Sequence, residues 1–341
     1  MDKIALVIGA TGQIGRAAVG ALVQDGWRIR AASRGERSVD WAADWPVQAL
    51  RVDRDDRAQL AAAVGAGCEV VVDTVAYGSA HARQLLDLAG RIGSAVVISS
   101  GAVYVDEHGR DLVDDDARFP VPIPESQPTV AAGDGSYATE KRALEQDLLA
   151  AGPDLPVTLL RAGAIHGPHT VHPREWYFVK RCLDRRPVRV LTYGGQSRFH
   201  PASTRNIAEL IRLAAARPGS RVLNAGDPQV PTVREIGAAI AAVLDQDADE
   251  VLIDGPSPAP PVGETPWSLA SPCVFDMTAA ARELDYRPVT GYVESLPATV
   301  AWLVDAARDR DWRSVFPDVV NEYRSDWFDY AAEDAWLTAR R

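Results

Sequence analysis

Cysteine is scarce in this chain. Cys68, Cys182 and Cys273 are its only three, far apart and without a C-x-x-C spacing, which excludes a disulfide framework and leaves reduced core or surface thiols. No apolar run approaches the roughly 20 residues that span a bilayer. No basic segment followed by an apolar one opens the sequence, so a cytoplasmic protein without a membrane partner is expected. Positive charge is also in deficit: 36 Lys+Arg stand against 47 Asp+Glu, a net charge of −11. A surface of that sign repels phosphodiester backbones, and no nucleic-acid partner is expected. The 341 residues, 47% hydrophobic, are those of an ordinary globular protein large enough for two lobes.

The stretch Gly9-Ala10-Thr11-Gly12-Gln13-Ile14-Gly15 joins the apolar run Ile4–Ile8 to a helical pattern over Arg16–Gln24. Strand, glycine-rich turn and helix in that order form a dinucleotide-binding context. Gly9 lets the chain reverse, Gly12 lets backbone approach a pyrophosphate, and Gly15 lets the helix lie close on the strand. The helix N-terminus, entered through Thr11, Gln13 and Ile14, offers backbone N–H groups and a positive dipole end to phosphate.

A second strand over 27–32 ends in Ser33-Arg34-Gly35. An Asp or Glu there would bind an adenosine 2′-hydroxyl; the guanidinium of Arg34 instead suits a 2′-phosphate. The favoured cofactor is therefore NADP, with NAD as the alternative. A third strand over 47–52 leads to Asp53 and Arg54, placed to touch adenine. A nearly continuous β-branched fourth strand follows over 69–75, then a helix over 80–92 and a strand over 95–99. This alternation predicts an α/β fold, a doubly wound parallel sheet with right-handed crossovers.

The pattern is lost between 105 and 135 in a segment rich in Asp, Pro and Gly, a length that in compact domains marks a functional loop. A strong helix runs over 136–151 and a strand over 156–161. Beyond Gly167-Pro168 the elements are short and broken by proline, as expected of a smaller mixed α/β C-terminal substrate lobe. Helices are expected over 174–185, from Ser203 or Thr204, from Thr232 with Glu235 completing a capping box, from Thr278, and near Tyr292. Near the end, Pro317 can open a helix in which Val320, Tyr323, Trp327 and Tyr330 make one apolar stripe, expected to dock on the cap lobe.

Tyr137 and Lys141 lie four residues apart in the strong helix, so both project from one face. A tyrosine titrates near ~10, and a base useful at neutral pH needs about 3 units less, roughly 4 kcal/mol of preferential stabilisation of the phenolate. Lys141 and an oxidised nicotinamide could supply it together. Ser99-Ser100 end a parallel strand at the sheet edge where ligands bind, and a hydroxyl there can hold a substrate oxygen.

With these residues in view, the chain resembles the extended, epimerase/dehydratase-type short-chain dehydrogenases/reductases. The likeness runs to about residue 304 and rests on Gly9-x-x-Gly12-x-x-Gly15, Ser99-Ser100-Gly101-Ala102-Val103-Tyr104, Tyr137-x-x-x-Lys141, and Leu160-Arg161-Ala162-Gly163-Ala164-Ile165-His166-Gly167-Pro168. Segments 33–35, 52–55 and 72–77 look most like the branch related to plant chloroplast stem-loop RNA-binding proteins. The resemblance implies a Rossmann domain over 1–167, to which 196–225 return, and a cap lobe over 168–310; a helical extension over 311–341 is expected beyond the likeness. It implies Ser100, Tyr137 and Lys141 as catalytic residues, with Lys141 also on the nicotinamide ribose. It adds Val75, Ala76, Tyr77, Ala164 and Ile165 as cofactor contacts. Gly101-Ala102 stand where sugar 4,6-dehydratases carry Asp-Glu, which argues against dehydration by that route.

Two further groups are placed near substrate: His166, and the pair Arg198 and His200 flanking Phe199. His166, His169 and His172 recur every third residue, but Gly167 and Pro168 forbid a regular helix through them, so no metal is expected. The expected activity is hydride transfer at a hydroxyl or carbonyl carbon of a small substrate, a sugar nucleotide or natural product, by a monomer or homodimer. Reductase and epimerase stay open. The rival reading is a non-catalytic nucleotide-binding or RNA-binding scaffold of the same fold.

Overall fold

The computed structural model describes residues 3–321 and 326–340. Its centre is a seven-stranded sheet of β1 (Ile4–Ile8), β2 (Arg28–Ser33), β3 (Val47–Arg51), β4 (Cys68–Asp73), β5 (Ile92–Ser100), β6 (Val157–Ala162) and, after the short strands below, β10 (Arg221–Ala225). Every neighbouring pair is parallel. The spatial order β3-β2-β1-β4-β5-β6-β10 reverses direction between β1 and β4, and a crevice opens at such a switch point beyond the strands' C-terminal ends. Parallel strands covered on both faces need continuous apolar sequence. Ala5–Ile8 and Val70–Val72 meet that need and are buried.

Helices α1 (Gln13–Gln24), α2 (Arg57–Val64), α3 (Ser79–Leu86) and α4 (Tyr137–Ala150) are the crossovers between these strands. The helix expected over 80–92 is shorter: α3 stops at Leu86, a 3-10 turn spans Ala89–Arg91, and β5 begins at Ile92. Gly90 and Gly93 weaken a helix there.

The C-terminal lobe holds β7 (Ala164–His166), α5 (Trp176–Leu183), β8 (Val188–Leu191), β9 (Pro201–Ser203), α6 (Thr204–Ala216), α7 (Val233–Val243), β11 (Asp249–Leu252), α8 (Thr278–Leu284) and α9 (Tyr292–Ala307). Some of these belong to the central layer: α6 packs on α1 through Ile207, Leu210 and Ile211 in the core that also holds Val19 and Leu22, and Ala280 and Leu284 of α8 join the same core. The Thr232–Glu235 capping box opens α7. Strand β11, parallel to β8, has no counterpart in the sequence reading, because its Asp249-Glu250-Val251-Leu252 is half exposed and shows neither an apolar run nor alternation.

The extension differs from the single striped helix expected after Pro317. Helices α10 (Trp312–Val315) and α11 (Pro317–Asn321) are followed by a turn and by α12 (Tyr330–Ala339). Asp326 accepts from the Phe328 N–H and Asp329 from that of Ala332. These carboxylates satisfy backbone N–H groups in the turn and at the start of α12. Trp327 is buried and Tyr330 packs against the same cluster. Tyr323 lies outside the described residues. The cluster joins Phe316, Val319, Trp327 and Phe328 to Trp176, Tyr177 and Phe178 of α5 and to Leu296, Val300 and Leu303 of α9, so the extension docks on the same chain's cap lobe. Among the described residues no helix is long and apolar enough to cross a membrane.

Candidate active site

A cavity of about 1050 Å³ lies along the C-terminal ends of the sheet, bordered by Ile8, Ala32, Val52, Thr74, Ile98 and Ala162. Its floor at one end is the glycine turn. Gly9 sits at φ +78°, a conformation costly for side chains other than glycine's, and its N–H donates to Ala32 O at 3.0 Å. A Cβ on Gly15 would stand 2.1 Å from Gly9 O, so only glycine lets α1 start this close to β1. Gly12 is the N-cap of α1 and supplies no side-chain cap, which leaves the first-turn N–H groups to be satisfied from the cavity. Gln13 borders the cavity, and its Nε2 is buried without a hydrogen-bond partner. An uncapped helix start and an orphaned amide facing a long cavity fit a dinucleotide pyrophosphate.

The other end is built by α4 and β5. Ser136 caps α4 in a reciprocal box with Thr139, which fixes Tyr137 as the first helical residue. Its side chain is 44% exposed at the cavity. One turn on, Lys141 is buried, with Nζ 5.7 Å from the centre of the Tyr137 ring. That ammonium donates to Ala76 O at 2.6 Å and Ile98 O at 3.0 Å. Burial pulls its pKa down to about 8, against the opposing pull of Asp73 and Glu145. The two serines divide their tasks. Ser99 Oγ donates to buried Glu145 at 2.7 Å, whereas Ser100 Oγ accepts from Ala102 N–H at 3.1 Å and keeps its own hydrogen for a ligand.

Residues 5–226 match the NAD-dependent epimerase/dehydratase family. The chain belongs to that family. An Escherichia coli (strain K12) protein known as uncharacterized protein YbjS is 26% identical over 345 residues, 88% of this chain and 97% of its own. Among solved structures, the UDP-glucose 4-epimerase of Thermus thermophilus in complex with NAD is similar at a TM-score of 0.65 and 22% identity, covering 88% of this chain and 98% of that one. The UDP-N-acetylglucosamine 4-epimerase of Methanobrevibacter ruminantium M1 is similar at 0.68 and 18%, covering 89% and 99%. At these identities the likeness establishes the fold.

In this epimerase/dehydratase chain several motif residues form a buried frame behind the site. Arg161 pairs with Glu145 at 2.7 Å and lies over the Tyr104 ring. Tyr104 donates to Asn224 Oδ1 at 2.6 Å. Charges buried in this way hold position because each is paired, and the frame ties β5, α4, β6 and β10 together beneath Ser100.

Of the residues expected at the cofactor, Gly9, Thr11, Gly12, Gln13, Ile14, Ser33, Arg34, Asp53, Arg54, Val75, Lys141 and Ile165 border the cavity. Gly15, Ala76 and Ala164 are buried behind that wall, and Tyr77 is exposed beside it. Ala76 acts through its carbonyl on Lys141, and Tyr77 packs edge-on against the Tyr137 ring at 5.5 Å. Arg54 is corrected in role: its guanidinium is committed to buried Asp73 at 2.8 Å and to Gln84, so it braces the wall.

The substrate assignments for His166, Arg198 and His200 are also corrected. His166 is buried against Asp227 at 2.6 Å and packs on Tyr292. His200 bonds Asp227 O at 2.8 Å and accepts from Phe275 N–H; burial lowers its pKa and keeps it neutral. Arg198 lies outside the cavity, while its neighbour Phe199 borders it. The three spaced histidines go to separate partners, His169 to Trp302 and His172 to Asp318 at 3.5 Å. Arg37, Leu112, Val113, Val130, Thr170, Val171 and Arg174 also border the cavity and were not singled out from the sequence. They lie in irregular segments, where no period marks the inward face.

Proposed function

We propose that the protein is an NADP(H)-dependent oxidoreductase or epimerase acting at a hydroxyl or carbonyl carbon of a small molecule. The observation that carries this reading is that the glycine turn and the Ser100, Tyr137 and Lys141 side chains open into one continuous cavity. Gly9, Thr11, Gly12, Gln13 and Ile14 would hold the pyrophosphate, Asp53 the adenosine, and Val75, Ile165 and Lys141 the nicotinamide end. A bound nicotinamide supplies or takes up hydride. Ser100 donates its hydroxyl hydrogen to the substrate oxygen and is itself oriented by the Ala102 N–H. Tyr137 delivers or removes the proton on that oxygen, and Lys141, one turn behind, stabilises the phenolate. A reductase uses this set once; an epimerase uses it twice, with the carbonyl intermediate turned between the two transfers.

Arg34 supports the choice of NADP. It pairs with Glu36 at 3.2 Å, but both side chains are about two-thirds exposed, and a pair so solvated is worth little and yields readily to a phosphate. Arg37, which also borders the cavity, adds a second cation. Arg34→Ala is expected to weaken NADPH about tenfold or more while leaving NADH nearly unchanged, since a charge-assisted phosphate contact is worth roughly 1.5–3 kcal/mol. Equal losses for both cofactors, read by nicotinamide fluorescence, would place Arg34 away from the 2′-phosphate. The cofactor that copurifies decides the reaction type: exchangeable NADPH marks a reductase, tightly held NAD an epimerase.

A further inference from the structure

Away from the glycine turn, the cavity wall has a composition that narrows the substrate. Arg174, just ahead of α5, holds its guanidinium over the Phe199 ring at 5.7 Å. Such a contact fixes the planar group against the wall and leaves its N–H edge available. The other arginines of the wall that are engaged have carboxylate partners, Arg34 in Glu36 and Arg54 in Asp73. Arg37, placed with Arg34 at the adenosine end, and Arg174 border the cavity without one among the described residues. A cation with no counter-charge in a cavity of this size is set to receive an anionic group.

Apolar side chains share the cavity with Arg174. Leu112 and Val113 from the long loop, with Val130, Val171 and Phe199, border the same cavity. Val113 is 74% exposed and Val171 40%. Apolar side chains gathered at a cavity mouth mark a ligand groove, because covering them is worth about 25 cal/mol per Å². Beyond Ser100, Ser136, Tyr137 and Lys141, the polar groups bordering this side of the cavity are Asp111, Thr170 and His172. Asp111 turns one carboxylate oxygen onto the Val113 N–H, His172 is held by Asp318, and Thr170 accepts from the His172 N–H. Hydroxyls of a hexose ring that these groups do not reach would stay unmatched, each at roughly 1–3 kcal/mol.

We infer that the substrate is a carbonyl or hydroxyl compound with an apolar, aromatic-sized body and one anionic group, a carboxylate or phosphate monoester, seated on Arg174. This rests on the reading of the site proposed above and separates the chain from the nucleotide-sugar substrates named for its structural neighbours. Arg174 is thereby a specificity-determining residue.

The test is a set of binding titrations, followed by protein fluorescence, of the full chain with benzoylformate, its methyl ester, phenyl phosphate and UDP-glucose. At least one of the two aryl anions is expected to bind about tenfold or more tightly than the ester, and the tighter of the two identifies the anion. Arg174→Gln should bring the anions to the level of the ester and leave the ester unchanged, whereas Arg174→Lys keeps part of the preference. Ester binding equal to that of both anions in the wild type would overturn the inference, as would unchanged anion affinity in a folded Arg174→Gln chain, or tightest binding of UDP-glucose. Should Arg174→Gln fail to fold, the wild-type ratio of anion to ester decides alone. NADPH oxidation at 340 nm is followed in parallel for the two ketones, benzoylformate and its methyl ester: their binding without turnover counts against the proposed reaction, and conversion of UDP-glucose to its epimer, read by product analysis, without aryl-anion binding counts against the inference.

Discussion

Tyr137→Phe is expected to lower turnover about 10²–10⁴-fold, the range that positioned proton transfer contributes, with NADPH affinity within about twofold of wild type. The substitution removes only the hydroxyl. The ring that packs on Tyr77 remains, and so does the Ser136–Thr139 box that starts α4. Lys141 keeps its bonds to Ala76 O and Ile98 O, because neither partner involves the phenol. A loss confined to kcat, with cofactor affinity and melting temperature preserved, identifies the phenol as the proton carrier. Retained turnover in the variant would remove Tyr137 from the mechanism.

Truncation before Asp311 is expected to give a chain that melts well below the wild type and aggregates. The loss has two parts. Glu333 of α12 is buried and binds Arg181 at 2.8 Å and Arg186 at 3.0 Å. Truncation removes this partner together with the Trp327 segment that covers Arg181, so the guanidinium is partly resolvated and the loss is below the ~3–5 kcal/mol that a buried uncompensated charge costs. The second part is apolar: without Phe316, Val319, Trp327 and Phe328, the faces of Trp176 and Tyr177 that they cover open to water. Glu333→Gln separates the two, because it breaks the ion pair and spares the aromatic packing; its expected destabilisation lies between wild type and truncation. A truncated chain that stays monodisperse and melts with the wild type would show the extension to be dispensable.

The parts of this molecule legible in the sequence are those whose partners are near in the chain. The glycine turn is a local device, since Gly15 meets Gly9 only two short steps back along the same motif. The Tyr137–Lys141 spacing is one helical turn, and the Thr232–Glu235 box closes within the first turn of α7. The β-branched run of β4 needs only its own residues to declare a buried parallel strand. Features settled by distant partners were not legible. His166 and His200 look like cavity ligands in sequence, but each finds Asp227, far along the chain, and is drawn into the core. Arg54 stands where a cofactor contact is expected and is taken up by Asp73 and Gln84. Arg174 and Val113 become wall residues only because the segment ahead of α5 and the long loop meet over the sheet edge, a juxtaposition that no local pattern encodes. The extension is intermediate. Its aromatic content marks a docked surface, while the Asp326 and Asp329 carboxylates form a turn and a new helix start where an uninterrupted helix is expected.

The central claim is that the glycine turn and the Ser100-Tyr137-Lys141 end serve one bound dinucleotide. The most direct measurement is titration of NADPH into the wild type and Gly12→Ala, reading nicotinamide fluorescence. A Cβ at Gly12 would lie 3.2 Å from Gly9 O, a contact that a small shift relieves, so the variant should fold while its methyl group fills the approach to the pyrophosphate. The account predicts saturable enhancement in the wild type and an affinity at least about tenfold weaker in Gly12→Ala, with the melting temperature of the free protein little changed. No saturable binding by the wild type, or an unaltered affinity in the variant, would contradict it.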